Sequence, residues 1–123
     1  MKTYDMIYKL RVEETRNGKK IKGVKYGCTN QHAEDRAARV EKSARKNGHV
    51  MHVHAEGYFF APSRSREIGE AEHSIHSDRS FRHYDDGGLP FNGSTEIYSR
   101  KEERRIDRKL QKDHGIKWRK CGQ

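Results

Sequence analysis

The chain is 123 residues long, 31% hydrophobic and 37% charged, with a formal net charge of +9. This length fits one domain with a small core, and six Tyr, four Phe and one Trp argue against a disordered chain. No apolar run approaches the roughly 20 residues of a membrane helix, and the N-terminus lacks the apolar region of a signal peptide. We therefore expect a cytoplasmic protein in which Cys28 and Cys121, which form no CxxC unit, are reduced thiols.

The first half of the chain predicts a hairpin, a helix and a third strand. Residues 3–12 alternate apolar and polar side chains, which is typical of a half-buried strand. Asn17-Gly18 favours a tight hairpin turn, and residues 21–28 then form the returning strand. Residues 31–46 carry small apolar side chains at helical spacing. Residues 49–60 alternate again and predict the third strand.

Caps and turn residues set the limits of the predicted helices. Thr29 or Asn30 can cap the first helix, and Asn47-Gly48 can end it. Ser65 can cap a second helix that runs to about His76.

The rest of the chain predicts a loop, a short strand and a basic helix. Residues 77–93 are rich in Gly and Pro without periodicity, and residues 95–98 form a short final strand. Ser99 and Glu102 form a capping box that opens a helix to about residue 113, with Gly115 after it.

These elements predict an α/β (α+β) fold. A small three-stranded antiparallel sheet is flanked by helices, and a basic helix stands at the C-terminus. We expect a domain over residues 1–98 and a basic helical tail over residues 99–123.

The tail carries most of the net positive charge. Residues 99–123 contain ten Lys or Arg against four acidic residues. Such a concentration predicts a polyanionic partner, and nucleic acid is the commonest one. The candidate phosphate contacts are Arg39 in the first helix and, in the tail, Arg100, Lys101, Arg104, Arg105, Arg108, Lys112 and Lys117.

The second helix carries a carboxylate on its apolar side. Ile68, Ala71 and Ile75 form the stripe that faces the core, and Glu72 is four residues after Ile68 on the same stripe. Because an unpaired buried carboxylate is costly, Glu72 needs either an Arg or Lys partner or a metal ion. Glu70 points elsewhere and is expected to be solvated.

The histidines allow a zinc interpretation as an alternative. His52 and His54 share one face of a strand, and His73 and His76 are three residues apart. Zinc sites usually combine Cys and His pairs at recognised spacings, which this sequence lacks.

Four other residues are expected near one edge of the sheet: Tyr8, Lys25, Tyr26 and Arg36. The second strand leads through GCTN directly into the first helix, and the free N–H groups of a helix start suit an anion. Together with Glu72 this set predicts a phosphodiester site.

The order of these motifs resembles the GIY-YIG nuclease superfamily over about residues 4 to 98. MIY at 6–8, VKYGCTN at 24–30, the helix with Arg36 and EAEHSIH at 70–76 carry the resemblance. The chain is more similar to a phage-associated branch whose second motif reads K-I-G-x-T and which has a late G-x-T-E-aromatic element, here residues 93–98. Two departures are visible: Met6 replaces the first glycine, and Lys25 occupies the second tyrosine position, with Tyr26 beside it.

The resemblance implies a metal-dependent mechanism. Glu72 would bind one Mg²⁺ or Mn²⁺, Arg36 would stabilise the charge that develops on phosphorus, and Tyr8 would orient or deprotonate the attacking water. Lys25 would lower the pKa of the phenol. Two histidines are candidates for a second general base: His32 and His76.

The leading hypothesis is therefore a DNA endonuclease, expected to be phage-encoded and to act in the host cytoplasm as a monomer or homodimer. One alternative is a basic nucleic-acid-binding protein without catalysis, in which Glu72 is ion-paired. Another is a zinc-stabilised adaptor.

Overall fold

The fold is described from a computed structural model, which covers residues 3–16, 18–83 and 97–122. Within these ranges, three helices and five strands follow one another in this order: β1 Met6–Arg16, β2 Lys19–Thr29, α1 Ala33–Lys46, β3 Met51–Phe60, α2 Ser65–His76, β4 Tyr98–Ser99, α3 Glu103–His114 and β5 Arg119–Lys120. Short 3₁₀ turns, Pro62–Arg64 and Arg100–Glu102, precede α2 and α3. The mixed α+β class is confirmed.

The sheet is antiparallel, with the strand order β4-β2-β1-β3-β5. The predicted hairpin is confirmed: Arg16 is opposite Lys19, and Gly18 has a φ of 78°. Residues with positive φ at this point let the turn match the twist of the strands. The count of three strands was too low. The short strand predicted at residues 95–98 overlaps β4 at Tyr98, while residues 95 and 96 lie outside the described part. Strand β5 was not predicted, because its two residues show no alternation.

Both faces of the sheet are covered. Tyr8, Leu10 and Val12 pack against α1 on what we call the α1 face. Ile7 and Tyr26 pack against α2 and α3 on the α2–α3 face. The prediction that the first strand is half-buried was therefore wrong, since a central strand between two helical layers is buried on both sides.

The predicted start of α1 needs correction. His32 occupies the N-cap position without a side-chain hydrogen bond to the helix. Thr29 Oγ1 instead accepts from the N–H of Gln31, and Asn30 Oδ1 accepts from the N–H of Asp5 at 2.8 Å. Both predicted caps are thus used to fix the connection between β2 and α1.

The two later caps also differ from prediction. Ser65 is the first residue of α2 rather than its cap, since a 3₁₀ turn precedes the helix. Ser99 Oγ accepts from the N–H of Lys101, but the Glu102 carboxylate accepts from the N–H of Arg82 and from Arg105. The capping box is therefore replaced by contacts to the preceding loop.

The segment after residue 98 belongs to the main fold. Ile106, Leu110 and Ile116 are buried on the α2–α3 face, and β5 pairs with β3. The predicted boundary between a domain and a tail is not supported by this packing. Of the predicted loop, residues 77–83 are described and contribute the buried Phe81, whereas residues 84–96 lie outside the described part. Among the described helices none has the length and apolarity needed to cross a membrane.

Candidate active site

The candidate site lies at the edge of β2. Within the described residues, β4 pairs only with Gly23 and Val24. Among the described residues, no strand pairs with the following part of β2 on that side, from Lys25 to Cys28. Side chains from β1 and α2 reach this edge from opposite faces of the sheet.

Tyr8 approaches the edge on the α1 face. Its side chain is buried, and it is directly opposite Gly27 in the β1–β2 pair. A Cβ atom on Gly27 would overlap the Tyr8 hydroxyl oxygen and Cζ. The hydroxyl group therefore passes over the glycine toward this edge, where the Lys25 ammonium is 5.8 Å from the Tyr8 ring centroid.

Glu72 approaches the same edge on the α2–α3 face. Ile68, Ala71 and Ile75 are buried as predicted, and the Glu72 side chain is 28% exposed. Burial raises the pKa of this carboxyl, but the hydrogen bond and charge of His76, with the charge of Lys25, outweigh burial and hold the pKa below its ordinary value. Glu72 is therefore an ionised, half-buried carboxylate.

His76 is held in place beside that carboxylate. Its Nε2 is 3.7 Å from Glu72 Oε2, and its Nδ1 is 2.8 Å from the Tyr98 hydroxyl oxygen. The His76 and His83 rings each stack on Tyr98 with interplanar angles of 12°. Tyr98 thus orients the histidine that contacts Glu72.

The Cys28 thiol lies next to the same carboxylate. Burial, together with the negative charge of Glu72, raises the pKa of Cys28. The thiol donates to the carbonyl of Ile68 at 3.5 Å. Cys28 is therefore a protonated neighbour of the Glu72 carboxylate.

Sequence reasoning missed Tyr98, His83 and Cys28 as parts of the site. Tyr98 ends the aromatic element at residues 93–98, and Cys28 lies within the second motif. Both residues therefore belong to motifs of the sequence, but nothing in the sequence assigned them to the site. Only the tertiary packing shows that Cys28 lies beside Glu72 and that Tyr98 contacts His76 and His83.

Tyr26 is not part of this group. It lies on the α2–α3 face, where its hydroxyl donates to Asp107 at 2.8 Å and its ring is 5.8 Å from that of Trp118. Burial and the charge of Asp107 raise the pKa of Tyr26. The residue is therefore a structural contact to α3 and has no free hydroxyl for acid–base chemistry.

Arg36 and His32 lie on α1 and at its start. The Arg36 Nε is buried and has no hydrogen-bond partner among the described residues. His32 is exposed at the N-cap of α1. In the described part of the chain neither residue has a hydrogen bond or ion pair that joins it to Glu72.

The predicted basic residues fall into two groups. Arg100 pairs with Glu103 at 2.8 Å, and Arg105 pairs with Glu102 at 2.9 Å. The other six are exposed, and none forms an ion pair with a described residue: Arg39 on α1, Lys117 after α3, and Lys101, Arg104, Arg108 and Lys112, which we call the α3 stripe. Members of the α3 stripe are three or four residues apart and so share one side of the helix.

A metal ion at Glu72 would meet one ionised carboxylate. No cluster of three or more His, Cys, Asp or Glu side chains suited to a metal exists among residues 3–16, 18–83 and 97–122, whereas structural zinc needs four ligands. Mg²⁺ usually keeps several waters and binds one or two carboxylates plus substrate phosphate. Glu72, ionised and partly open to solvent, is suited to that second mode.

The comparisons with known proteins find no relative. The chain matches no family model, no curated protein and no solved structure.

Proposed function

We propose that this chain is a metal-dependent endonuclease of the GIY-YIG type that hydrolyses phosphodiester bonds in DNA. One observation carries the proposal: the Lys25 side chain interacts with both Tyr8 and Glu72, which reach the β2 edge from opposite faces of the sheet. A phenol, an ammonium and an ionised carboxylate at one edge are suited to bind and polarise a phosphodiester and its attacking water.

Each residue has a definite task in this proposal. Glu72 holds the Mg²⁺ or Mn²⁺, and that ion, when bound, supplies charge stabilisation to the leaving oxygen. The Tyr8 hydroxyl orients the water that attacks phosphorus, and the Lys25 ammonium lies 5.8 Å from the Tyr8 ring centroid. Arg36 offers its Nε–H to a phosphate oxygen, which would satisfy a buried donor that has no partner among the described residues.

His76 positions Glu72 in this proposal. Its Nε2–H faces the Glu72 carboxylate and its Nδ1 is held by the Tyr98 hydroxyl, so neither ring nitrogen is available for the proton of the attacking water. As the water oxygen bonds to phosphorus, the water loses a proton to solvent, the ester P–O bond breaks and the departing oxygen takes up a proton from solvent. A site of this size cuts one strand, so cleavage of both strands needs a homodimer or two successive events.

The α3 stripe supplies the binding surface for the duplex. Its four cations are exposed and lack ion-pair partners among the described residues. Contacts of Lys and Arg to phosphates position a protein on DNA without reading its sequence. This stripe alone would also serve a DNA-binding protein without catalysis, which is the alternative function.

Replacing Glu72 separates the two functions. Supercoiled plasmid is incubated with Mg²⁺ or Mn²⁺, and nicking is followed on a gel. We expect Glu72→Gln to lower the nicking rate by about 100-fold or more, the scale seen when one preorganised electrostatic group is removed, while plasmid binding is unchanged. Glu70→Gln, on the exposed side of the same helix, is the matched control and should nick normally. Binding without nicking by the wild-type chain in either metal would favour the non-catalytic alternative.

A further inference from the structure

A second concave surface lies away from Glu72, at the end of the sheet where β1 begins and β3 ends. This groove runs between the start of α1 and residues 117–122, and it encloses about 870 Å³. We call it the α1–β5 groove. Its lining includes Met6, Tyr58, Phe60 and residues of both flanking segments.

Aromatic side chains form the floor of the α1–β5 groove. Phe60 is directly opposite Met6, and its side chain is 58% exposed, which is unusual for a phenylalanine at the end of a strand. Tyr58 is directly opposite Tyr8 on the other side of β1 and opposite Arg119 of β5. An exposed ring beside a half-buried one offers flat faces on which planar groups can stack.

The rim of the groove is mainly basic. Lys117, Arg119 and Lys120 are exposed, and none has an ion-pair partner in the described part of the chain. The start of α1, which carries the positive end of the helix dipole, forms the opposite wall. Two carboxylates, Asp5 and Glu34, also line the groove, so the positive charge is concentrated on the β5 side.

We infer that the α1–β5 groove binds a single-stranded segment of nucleic acid. Its bases stack on Phe60 and Tyr58, and its phosphates lie along Lys117, Arg119 and Lys120. Aromatic platforms combined with cationic rims are the usual way to hold single strands without sequence preference. A duplex is a poor occupant, because its base faces are already stacked on each other and cannot reach Phe60.

The inference rests on the proposed function, since it takes a nucleic acid as the ligand, and it names the form of the substrate. Tyr58 is the neighbour of Tyr8 in the β1–β3 pair, whereas the Tyr8 hydroxyl lies over Gly27 of β2, so the groove and the proposed catalytic phenol lie on two sides of β1. The substrate is then a junction, with duplex on the α3 stripe and a single-stranded extension in the groove.

The first test measures binding without cleavage. The full chain is titrated in EDTA against a dye-labelled oligothymidine of about 12 nucleotides, a typical site size for such grooves, and anisotropy is recorded. We expect Phe60→Ala to weaken binding about tenfold, as expected for loss of one stacked base. Val50→Ala removes an apolar side chain that is 69% exposed and lies outside the groove, and it should bind like the wild type.

The same titration with a hairpin duplex identifies the strand form. Phe60→Ala should leave duplex affinity unchanged. Equal losses for both ligands, or no loss for oligothymidine, would overturn the inference. Polyglutamate of matched charge serves as a competitor, and displacement of the oligothymidine at equal charge concentration would show that the groove takes an acidic peptide as readily, which also overturns it.

Two double variants test the basic rim of the groove, and Glu72→Gln separates the groove from the proposed catalytic site. The double variant Lys117→Gln, Lys120→Gln should weaken oligothymidine binding and reduce its salt dependence. The control is the double variant Lys42→Gln, Lys46→Gln on the surface of α1, which should change neither the affinity nor its salt dependence. Glu72→Gln should bind oligothymidine normally. If oligothymidine binding depends on Phe60 but the chain never nicks DNA, the groove is supported and the nuclease function is contradicted. If the chain nicks DNA but oligothymidine binding does not depend on Phe60, the nuclease function is supported and the groove is contradicted.

Discussion

At the scale of single residues, Gly27 decides whether Tyr8 can reach the site. The Tyr8 ring lies across the position that a Gly27 side chain would occupy, so the absence of a Cβ makes room for the phenol. Tyr8 is also in the core of the α1 face. The same glycine therefore connects the packing of the sheet with the position of the proposed catalytic hydroxyl.

Gly27→Ala should therefore damage both stability and nicking. The buried ring must move to accommodate a methyl group, and such overpacking costs about 1–3 kcal/mol; urea denaturation measures this. Gly69→Ala is the control, because a Cβ on this α2 glycine meets no atom within 4 Å. In a helix interior this change should add about 0.5–1 kcal/mol of stability. A Gly27→Ala protein as stable and active as the wild type would show that Tyr8 does not depend on the glycine.

At the scale of elements, α3 is fixed to the sheet by a buried ion network. Lys9 is 2.9 Å from Glu103 and 2.8 Å from Asp107, and its side chain is only 9% exposed. Asp107 also accepts from Tyr26 and from the Trp118 indole. The helix that carries the proposed DNA-binding stripe is thus oriented by polar contacts as well as by Ile106 and Leu110.

Lys9→Met should weaken this docking strongly. Breaking a buried pair leaves uncompensated carboxylates and costs about 3–5 kcal/mol. We expect about 2–3 kcal/mol here, because the carboxylates keep some solvent contact and Glu103 retains Arg100. The matched control is Lys20→Met, since Lys20 pairs with Glu13 while 66% exposed, and loss of an exposed pair costs at most about 1 kcal/mol. Equal midpoints for the two variants in urea would show that the network does not hold α3.

At the scale of the whole molecule, periodicity predicted the long elements and failed for the short ones. The hairpin, α1, β3, α2 and α3 each contain several turns or alternations, which is enough for a pattern to be read. Strands β4 and β5 have two residues and form only because the rest of the fold places them beside β2 and β3. The burial of Lys9 could not be predicted from the sequence either, because its partners lie almost a hundred residues away along the chain.

The positions of the site residues could be predicted where they depend on a single helix, but not where they depend on the register between two strands. The helical stripe alone placed Glu72 toward the sheet, as the structure shows. Tyr26 was grouped with Tyr8, although a two-residue turn at 17–18 places Tyr8 opposite Gly27 and sends Tyr26 to the other face. The length of the hairpin turn is therefore enough to predict that Tyr8 and Tyr26 lie on opposite faces of the sheet. The role of Tyr98 beside His76 required the tertiary fold.

Charge distribution is also a property of the whole molecule, and it predicts how DNA binding responds to salt. Each phosphate contact that is lost lowers the slope of log K against log salt by about 0.9. Replacing the four residues of the α3 stripe by Gln should therefore reduce the slope by about 3 to 4 and weaken duplex binding at low salt. Binding to a duplex is measured by anisotropy from low to high salt.

A second quadruple variant shows whether position or total charge matters. Lys19, Lys22, Lys42 and Lys46 are exposed on β2 and α1, and their replacement by Gln removes the same four charges. If the α3 stripe binds the duplex, this control should change the slope much less, because its cations do not contact phosphates and contribute only through the long-range field, which salt screens over roughly 10 Å. Equal slopes in the two variants would mean that DNA responds to the net charge of the molecule and that the α3 stripe is not the binding surface.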